Sequence, residues 1–337
     1  MKLFISYALR ALTVAERKLL RRPRKSAPAV PRHAAPPEDA PPSAASQEAA
    51  LETQTRQREI ERRPQARKRA RVPELLPPPF AWIEIPAGQV TLVPDGYDKE
   101  ESYLKHATIF DVAAFAIAKY PITNAQYALF VEAGGYHERR WWTEAGWRTR
   151  EEGWAWNSQK GTSEPTGNPW TEPTYWQDAE WNGADHPVVG VSWYEAMAFC
   201  RWLSEVSGEE VTLPSEQQWQ RAAQGDDGRT FPWGDTWDSS RCNAGENGAG
   251  HTTSVYKYEE HGDSPFGAVD MAGNVWEWCL TAYETGDDTP EGDAHRVVRG
   301  GSWFIHQYYT RAAFRFWFNP SFCYIFVGFR VVRPPSL

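Results

Sequence analysis

The segment His186–Gly225 reads HPVVGVSWYEAMAFCRWLSEVSGEEVTLPSEQQWQRAAQG, and its two helix-start signals set the fold class. Ser192 and Glu195 make an S-x-x-E capping box, after which Ala196, Phe199, Cys200 and Leu203 recur at helical spacing until Gly208 ends the run. Ser215 and Gln218 repeat the box, and Gly225 closes the second helix. Upstream, Thr123 or Asn124 caps a third helix in ITNAQYALFVEAGG, which Gly134 terminates. Before it, PFAWIEIPAGQVTLV (79–93) alternates apolar residues around a Pro-Ala-Gly turn and predicts a hairpin. Beyond residue 225 the chain is mostly turns and short strands. Short helices beside a loop-rich sheet give the α+β class.

The 337 residues carry a net charge of −8, but the two parts of the chain differ in sign. Residues 1–75 hold seventeen Lys and Arg against eight Asp and Glu, and the remainder nineteen against thirty-six, a net of −17. An acidic body argues against a specific nucleic-acid ligand. The Pro/Ala-rich, basic stretch 1–78 has too little apolar surface to offset its ordering entropy and is expected to be a largely disordered arm. Its opening KLFISY resembles the first strand of a Toll/interleukin-receptor domain, but the alternating strands and helices of such a domain do not follow. Residues 79–337 are then the folded domain, with a tryptophan-rich insertion at 136–185. The first twenty residues are too charged for a membrane span and lack a cleavage site after a clean apolar core. The cysteines Cys200, Cys242, Cys279 and Cys323 form no C-x-x-C pair or zinc spacing, the usage of a reducing compartment, so a cytoplasmic protein is expected.

Trp303–Phe329, WFIHQYYTRAAFRFWFNPSFCYIFVGF, contains twelve aromatics in twenty-seven residues and sustains neither a period of two nor one of 3.6. A core run would be rich in Leu and Val, yet 304–326 has no Leu, Val or Met. Large rings with few rotatable bonds suit a displayed binding surface. The plain alternative is a pair of buried strands. For the eight insertion tryptophans, local packing of a long loop is the expectation, and Trp276 and Trp278 belong to the core.

Six blocks in order, HPVVGVSWYEAMAFCRWL (186–203), VTLPSEQQWQRAAQG (211–225), FPWGD (231–235), GNVWEW (273–278), RGGSW (299–303) and GFRVV (328–332), resemble the formylglycine-generating-enzyme, or sulfatase-modifying-factor, family. The resemblance implies a C-type-lectin-like fold. The family's oxidases bind copper through two thiolates just beyond the Gly-Gly-Ser block, where this chain has Ile305 and Thr310, so no copper is expected. The clustered histidines of the ergothioneine-type relatives are also missing.

A second branch of the fold, the variable proteins of diversity-generating retroelements, keeps an RGGSW…GFR frame and replaces residues between by mutating adenines, mostly in Asn codons. Region 299–330 resembles that pattern. It implies a ligand surface of Phe304, Ile305, His306, Tyr308, Tyr309, Phe314, Phe316, Trp317, Phe318, Asn319, Ser321, Phe322, Cys323, Tyr324, Ile325 and Phe326, binding a protein or other macromolecule. Gln307 and Trp317 are not reachable from an Asn codon. Arg311, Ala313, Arg315, Pro320 and Gly328 read as frame.

Asn243, Asn247, Asp270 and Glu277 align with oxygen ligands that hold calcium in the resembled family, implying a structural calcium site. Turn chemistry explains the same residues without an ion. No nucleophile–base pair, paired carboxylates or phosphate loop stands out. Sequence therefore predicts a ligand-binding protein that is not an enzyme. The alternatives are a divergent oxidase acting on a protein cysteine through Cys323 or another thiol, and a scaffolding module working through the basic arm.

Overall fold

The computed structural model describes residues 70–94, 100–157, 160, 162–246 and 248–335. The basic arm up to residue 69 and Asn247 lie outside the described residues. A single helical turn, α1 (Val72–Leu75), opens the described chain with Val72 fully buried and its N–H on Glu209 at 2.8 Å. Packing therefore starts several residues before position 79.

Strands β1 (Trp82–Ile85), β2 (Gly88–Leu92), β3 (Thr108–Val112) and β4 (Phe115–Ala118) follow. The hairpin expected over 79–93 is corrected here: β1 pairs with β4 and β2 with β3. The reason is Arg221, whose buried guanidinium donates to the carbonyls of Pro86 and Gln89. A Cβ at Gly88 would collide with it. The turn wraps a cation from elsewhere in the chain and never brings its two flanks together.

Helix α2 (Asn124–Glu132) is capped by Thr123 and Gln126 and followed by Gly134 at φ 77°. Helix α3 (Glu144–Glu152) and the hairpin β5 (Trp154–Asn157) and β6 (Thr162–Pro165) make the insertion. Its Trp141, Trp142 and Trp181 are buried, and the Trp142 indole donates to Gly135 O at 2.8 Å, as local packing requires. Helices α4 (Trp193–Ser207) and α5 (Glu216–Gln224) begin at Ser192 and Ser215 with both boxes closed, and Gly208 and Gly225 take the left-handed φ of 75° and 70° that ends them.

Beyond α5 come β7 (Trp276–Ala282), β8 (Arg296–Arg299), β9 (Arg315–Phe318), β10 (Val327–Gly328) and β11 (Val332–Arg333). One sheet runs β10-β7-β8-β9 and another β1-β4-β11. Trp276 and Trp278 are fully buried, as expected of the GNVWEW block, and so is Trp219 on α5. Buried arginines are held in this core in two ways, by carboxylates and by a ring with carbonyls. Glu216 holds Arg299 and Arg315, Glu277 holds Arg330, and Arg296 lies over the Trp193 ring at 4.0 Å while donating to the carbonyls of Leu280, Thr289 and Glu291.

Candidate functional site

Strand β8 delivers the chain to Gly300 and Gly301, both at positive φ (94° and 74°). A side chain at Gly301 would meet Thr310 at 2.8 Å, so the glycines let the aromatic segment fold back on its own start. Trp303 then ties both ends together: its N–H donates to Asn274 O and its indole to Ile325 O, each at 3.1 Å. The middle is pinned by Arg315, which donates to both Glu216 carboxylate oxygens at 2.7 Å, while Arg299 reaches the same carboxylate at 2.9 Å.

Within this frame the sixteen ligand-surface residues divide into three groups. His306, Tyr308 and Asn319 are exposed, and Phe304, Tyr309, Trp317, Phe318 and Phe322 are half-buried. Ile305, Phe314, Phe316, Ser321, Cys323, Tyr324, Ile325 and Phe326 are buried. A buried position tolerates few changes of volume.

Three of the half-buried rings, Phe304, Phe318 and Phe322, form a rim around buried Phe326. Phe318 stacks on Phe322 at 4.5 Å and 17°, and Phe304 tilts against Phe326 at 4.7 Å. Buried Tyr324, 5.1 Å from Phe326, supports the rim from below. A second cluster places the Arg311 guanidinium 3.9 Å above Tyr308, which is 48% exposed. Glu246 closes one side, accepting from Gln307 N at 2.7 Å. Sequence reasoning did not connect this carboxylate to the segment, since the two are far apart in the chain and only the fold brings them together.

Ile305 is buried, and the Thr310 hydroxyl donates to Gln307 O at 2.9 Å. Neither offers a thiolate. Cys323 is 6% exposed and takes a hydrogen bond from the Thr174 hydroxyl at 3.2 Å. Burial, reinforced by the nearby Glu195 charge, pushes its thiol up to about 12. The thiols of Cys200, Cys242 and Cys279 are raised by burial as well. A copper–thiolate centre therefore does not fit this segment.

Among the described residues, the calcium candidates Asn243, Asp270 and Glu277 are each engaged by protein groups. Both Glu277 oxygens accept from Arg330 at 2.6 Å, and the Trp219 indole adds a bond of 2.7 Å. The Asn243 amide donates to His251 O and Asn274 Oδ1. Asp270, at φ 56°, accepts from Asn274 at 2.7 Å through one oxygen, while its other oxygen is buried without a protein donor. Burial pushes Asp270 up to about 7. Glu277 is thus engaged by an arginine, and Asp270 keeps one buried oxygen without a protein donor.

Glu195 is the other buried acid beside the segment. It accepts from Tyr136 OH at 2.5 Å and Ser192 N at 2.7 Å, yet burial outweighs these bonds and pushes it up to about 7. A carboxyl raised in the fold favours its protonated form. Its contribution to stability is complete below the unfolded value of about 4.5 and is lost as pH rises through about 7. Urea midpoints should therefore fall between pH 5 and pH 8, and Glu195→Gln should flatten the fall, leaving the part due to Asp270. A slope unchanged in that variant would assign the effect elsewhere.

The family model for the sulfatase-modifying factor enzyme 1-like domain matches residues 71–335. Hercynine oxygenase of Mycolicibacterium thermoresistibile is 32% identical over 246 residues, covering 67% of this chain and 52% of that enzyme. Formylglycine-generating enzyme of Thermomonospora curvata is 29% identical over 271 residues, covering 66% and 83%. Treponema denticola variable protein 1 shares the fold at a TM-score of 0.53 and 22% identity, over 76% of this chain and 95% of that one. The chain spans about half the length of the hercynine oxygenases it matches. These enzyme relatives overturn the expectation that the chain is not an enzyme. The residues at Ile305 and Thr310 bear on one particular chemistry and do not remove the chain from the sulfatase-modifying factor enzyme 1-like domain family.

Proposed function

The chain belongs to the sulfatase-modifying factor enzyme 1-like domain family, and from that premise we propose that it is an oxidase of this family acting on a polypeptide cysteine. The rim of Phe304, Phe318 and Phe322 is its substrate-binding wall. The observation that carries the reading is this rim: half-buried rings locked by stacking, above a buried aromatic floor, on a frame pinned by Arg299 and Arg315. A rigid apolar wall binds a peptide segment with little ordering cost. The described thiols stay protonated and enclosed, so this part of the chain acts by binding and orienting. We place the protein in the cytoplasm, where its four buried cysteines, none of them in a disulfide, remain reduced. Among the described residues no helix is long and apolar enough to cross a membrane.

The test is oxygen uptake by the full chain with a panel of cysteine peptides and their serine analogues, supplied in turn with copper(I) and iron(II). Cysteine-dependent uptake with a mass change in the peptide is expected. Phe318→Ser and Phe322→Ser should each raise KM about tenfold, equivalent to roughly 1.4 kcal/mol of binding, with kcat and the urea midpoint nearly unchanged. No uptake with either metal, together with unaltered peptide binding in both variants, would remove the proposal.

A second reading uses the same rim for a macromolecular ligand through replaceable side chains, as in retroelement variable proteins. It is favoured by the exposure of His306, Tyr308 and Asn319, all compatible with mutated Asn codons. A near-copy of the coding segment differing only at adenines, beside a reverse transcriptase gene, is its expected mark; a genome without one counts against it.

A further inference from the structure

The loop Phe231–Arg241 lies apart in sequence from the aromatic segment and borders an open surface cavity of about 580 Å³, lined among others by Trp233, Asp235, Thr236, Trp237, Asp238 and Arg241. That volume is within the range of small-molecule sites. Its aromatic wall is built in three layers. Buried Phe231 stacks under Trp233 at 5.5 Å and 7°, and the Trp233 indole donates to Thr236 O at 3.0 Å, so ring and edge are both fixed. Trp237 stands at 49° to Trp233 with ring centroids 6.0 Å apart. Two half-buried indoles at this angle make an apolar corner.

The polar groups around the corner divide by what they already bind. Asp238 is satisfied internally, accepting from Ser240 through one oxygen and from Arg241 at 3.0 Å through the other. Asp235 accepts the N–H and hydroxyl of Thr230 through a single oxygen, which leaves the second to accept more. Among the described residues, the Thr236 hydroxyl and the Trp237 indole N–H have no protein partner. An apolar corner edged by an acceptor, a hydroxyl and an indole donor matches a ligand with a C–H face and a rim of hydroxyls. Phosphate-bearing ligands are disfavoured by the two carboxylates and the acidic body of the chain. We propose that this cavity binds a pyranose sugar, its C–H face on Trp237 and Trp233 and its hydroxyls on Asp235 and Thr236.

Saturation-transfer NMR on the full chain, with methyl glycosides of glucose, galactose, mannose and N-acetylglucosamine and their disaccharides, tests this. Choline and adenosine monophosphate serve as charged comparisons. Saturation of the ring C–H protons of at least one sugar is expected, with affinity read by tryptophan fluorescence. Trp237→Ala should weaken it about tenfold or more, as loss of a stacking ring does. Thr236→Val, at an exposed position, should weaken it about fivefold through one lost hydrogen bond and leave the melting temperature unchanged. The second variant decides the matter even where the first fails to fold. No saturation of any sugar, preference for choline or adenosine monophosphate, or sugar binding unmoved by Thr236→Val would each overturn the proposal.

Discussion

Glu216→Ala is expected to lower the stability of the domain by about 3–5 kcal/mol, seen as a large fall in the urea midpoint. The carboxylate is fully buried and is the acidic partner of two buried guanidiniums, Arg299 and Arg315, so the trio carries a net positive charge inside the core. Tyr103 OH at 3.2 Å and the Thr281 hydroxyl on the Glu216 N–H complete the arrangement. Removing the acid leaves two cations enclosed without a counter-charge, which costs far more than the pair gains when intact. Glu216→Gln keeps an acceptor but not the charge and should fall between wild type and alanine. A loss below about 1 kcal/mol would mean that water reaches both arginines.

The pH dependence of this acid has the opposite sign to that of Glu195. Burial alone would raise Glu216, but Arg315 and Arg299 outweigh it and hold the carboxyl below its ordinary range. Its stabilisation is present above the unfolded value of about 4.5 and is lost as pH falls through the lower folded value. Glu195 loses its contribution as pH rises toward about 7. Stability should therefore peak on the acid side of neutrality, between the two windows.

What could be read from the chain alone follows the range of the forces involved. Helices α2, α4 and α5 were legible because their caps are local: Thr123, Ser192 and Ser215 bond to residues three positions on. The hairpin at 79–93 was misread because Arg221, more than a hundred residues away, fills its turn. The aromatic segment gave no period because its rings pack from turns and one short strand, β9, where Phe316 is buried and Trp317 and Phe318 only half so. Its arginine frame was visible as residue types, but not that Arg299 and Arg315 converge on Glu216. The FPWGD block showed as a motif. The corner between Trp233 and Trp237 exists only once Phe231 sets the first ring. Absent thiolates were legible at Ile305 and Thr310, and the inference from them to a protein without enzymatic activity went further than two positions allow.

Arg330→Met is expected to cost a similar 3–5 kcal/mol, and the reason lies in how fully the guanidinium is used. Its Nε and one Nη2 hydrogen go to the two Glu277 oxygens at 2.6 Å. The remaining donors meet the carbonyls of Val269, Ala118 and Lys119 at 2.8, 3.1 and 3.2 Å. The side chain thus joins β7 to the end of β4 and to the loop before Asp270, and no water is needed to satisfy it. Methionine keeps much of the volume but strands the Glu277 charge and those carbonyls. Glu277→Leu strands the guanidinium instead and leaves the Trp219 indole without its acceptor. The double variant removes both charges, so its loss should be several kcal/mol smaller than the sum of the singles; urea midpoints of the four proteins give that coupling directly. Additive losses would show that Glu277 and Arg330 are stabilised independently of each other.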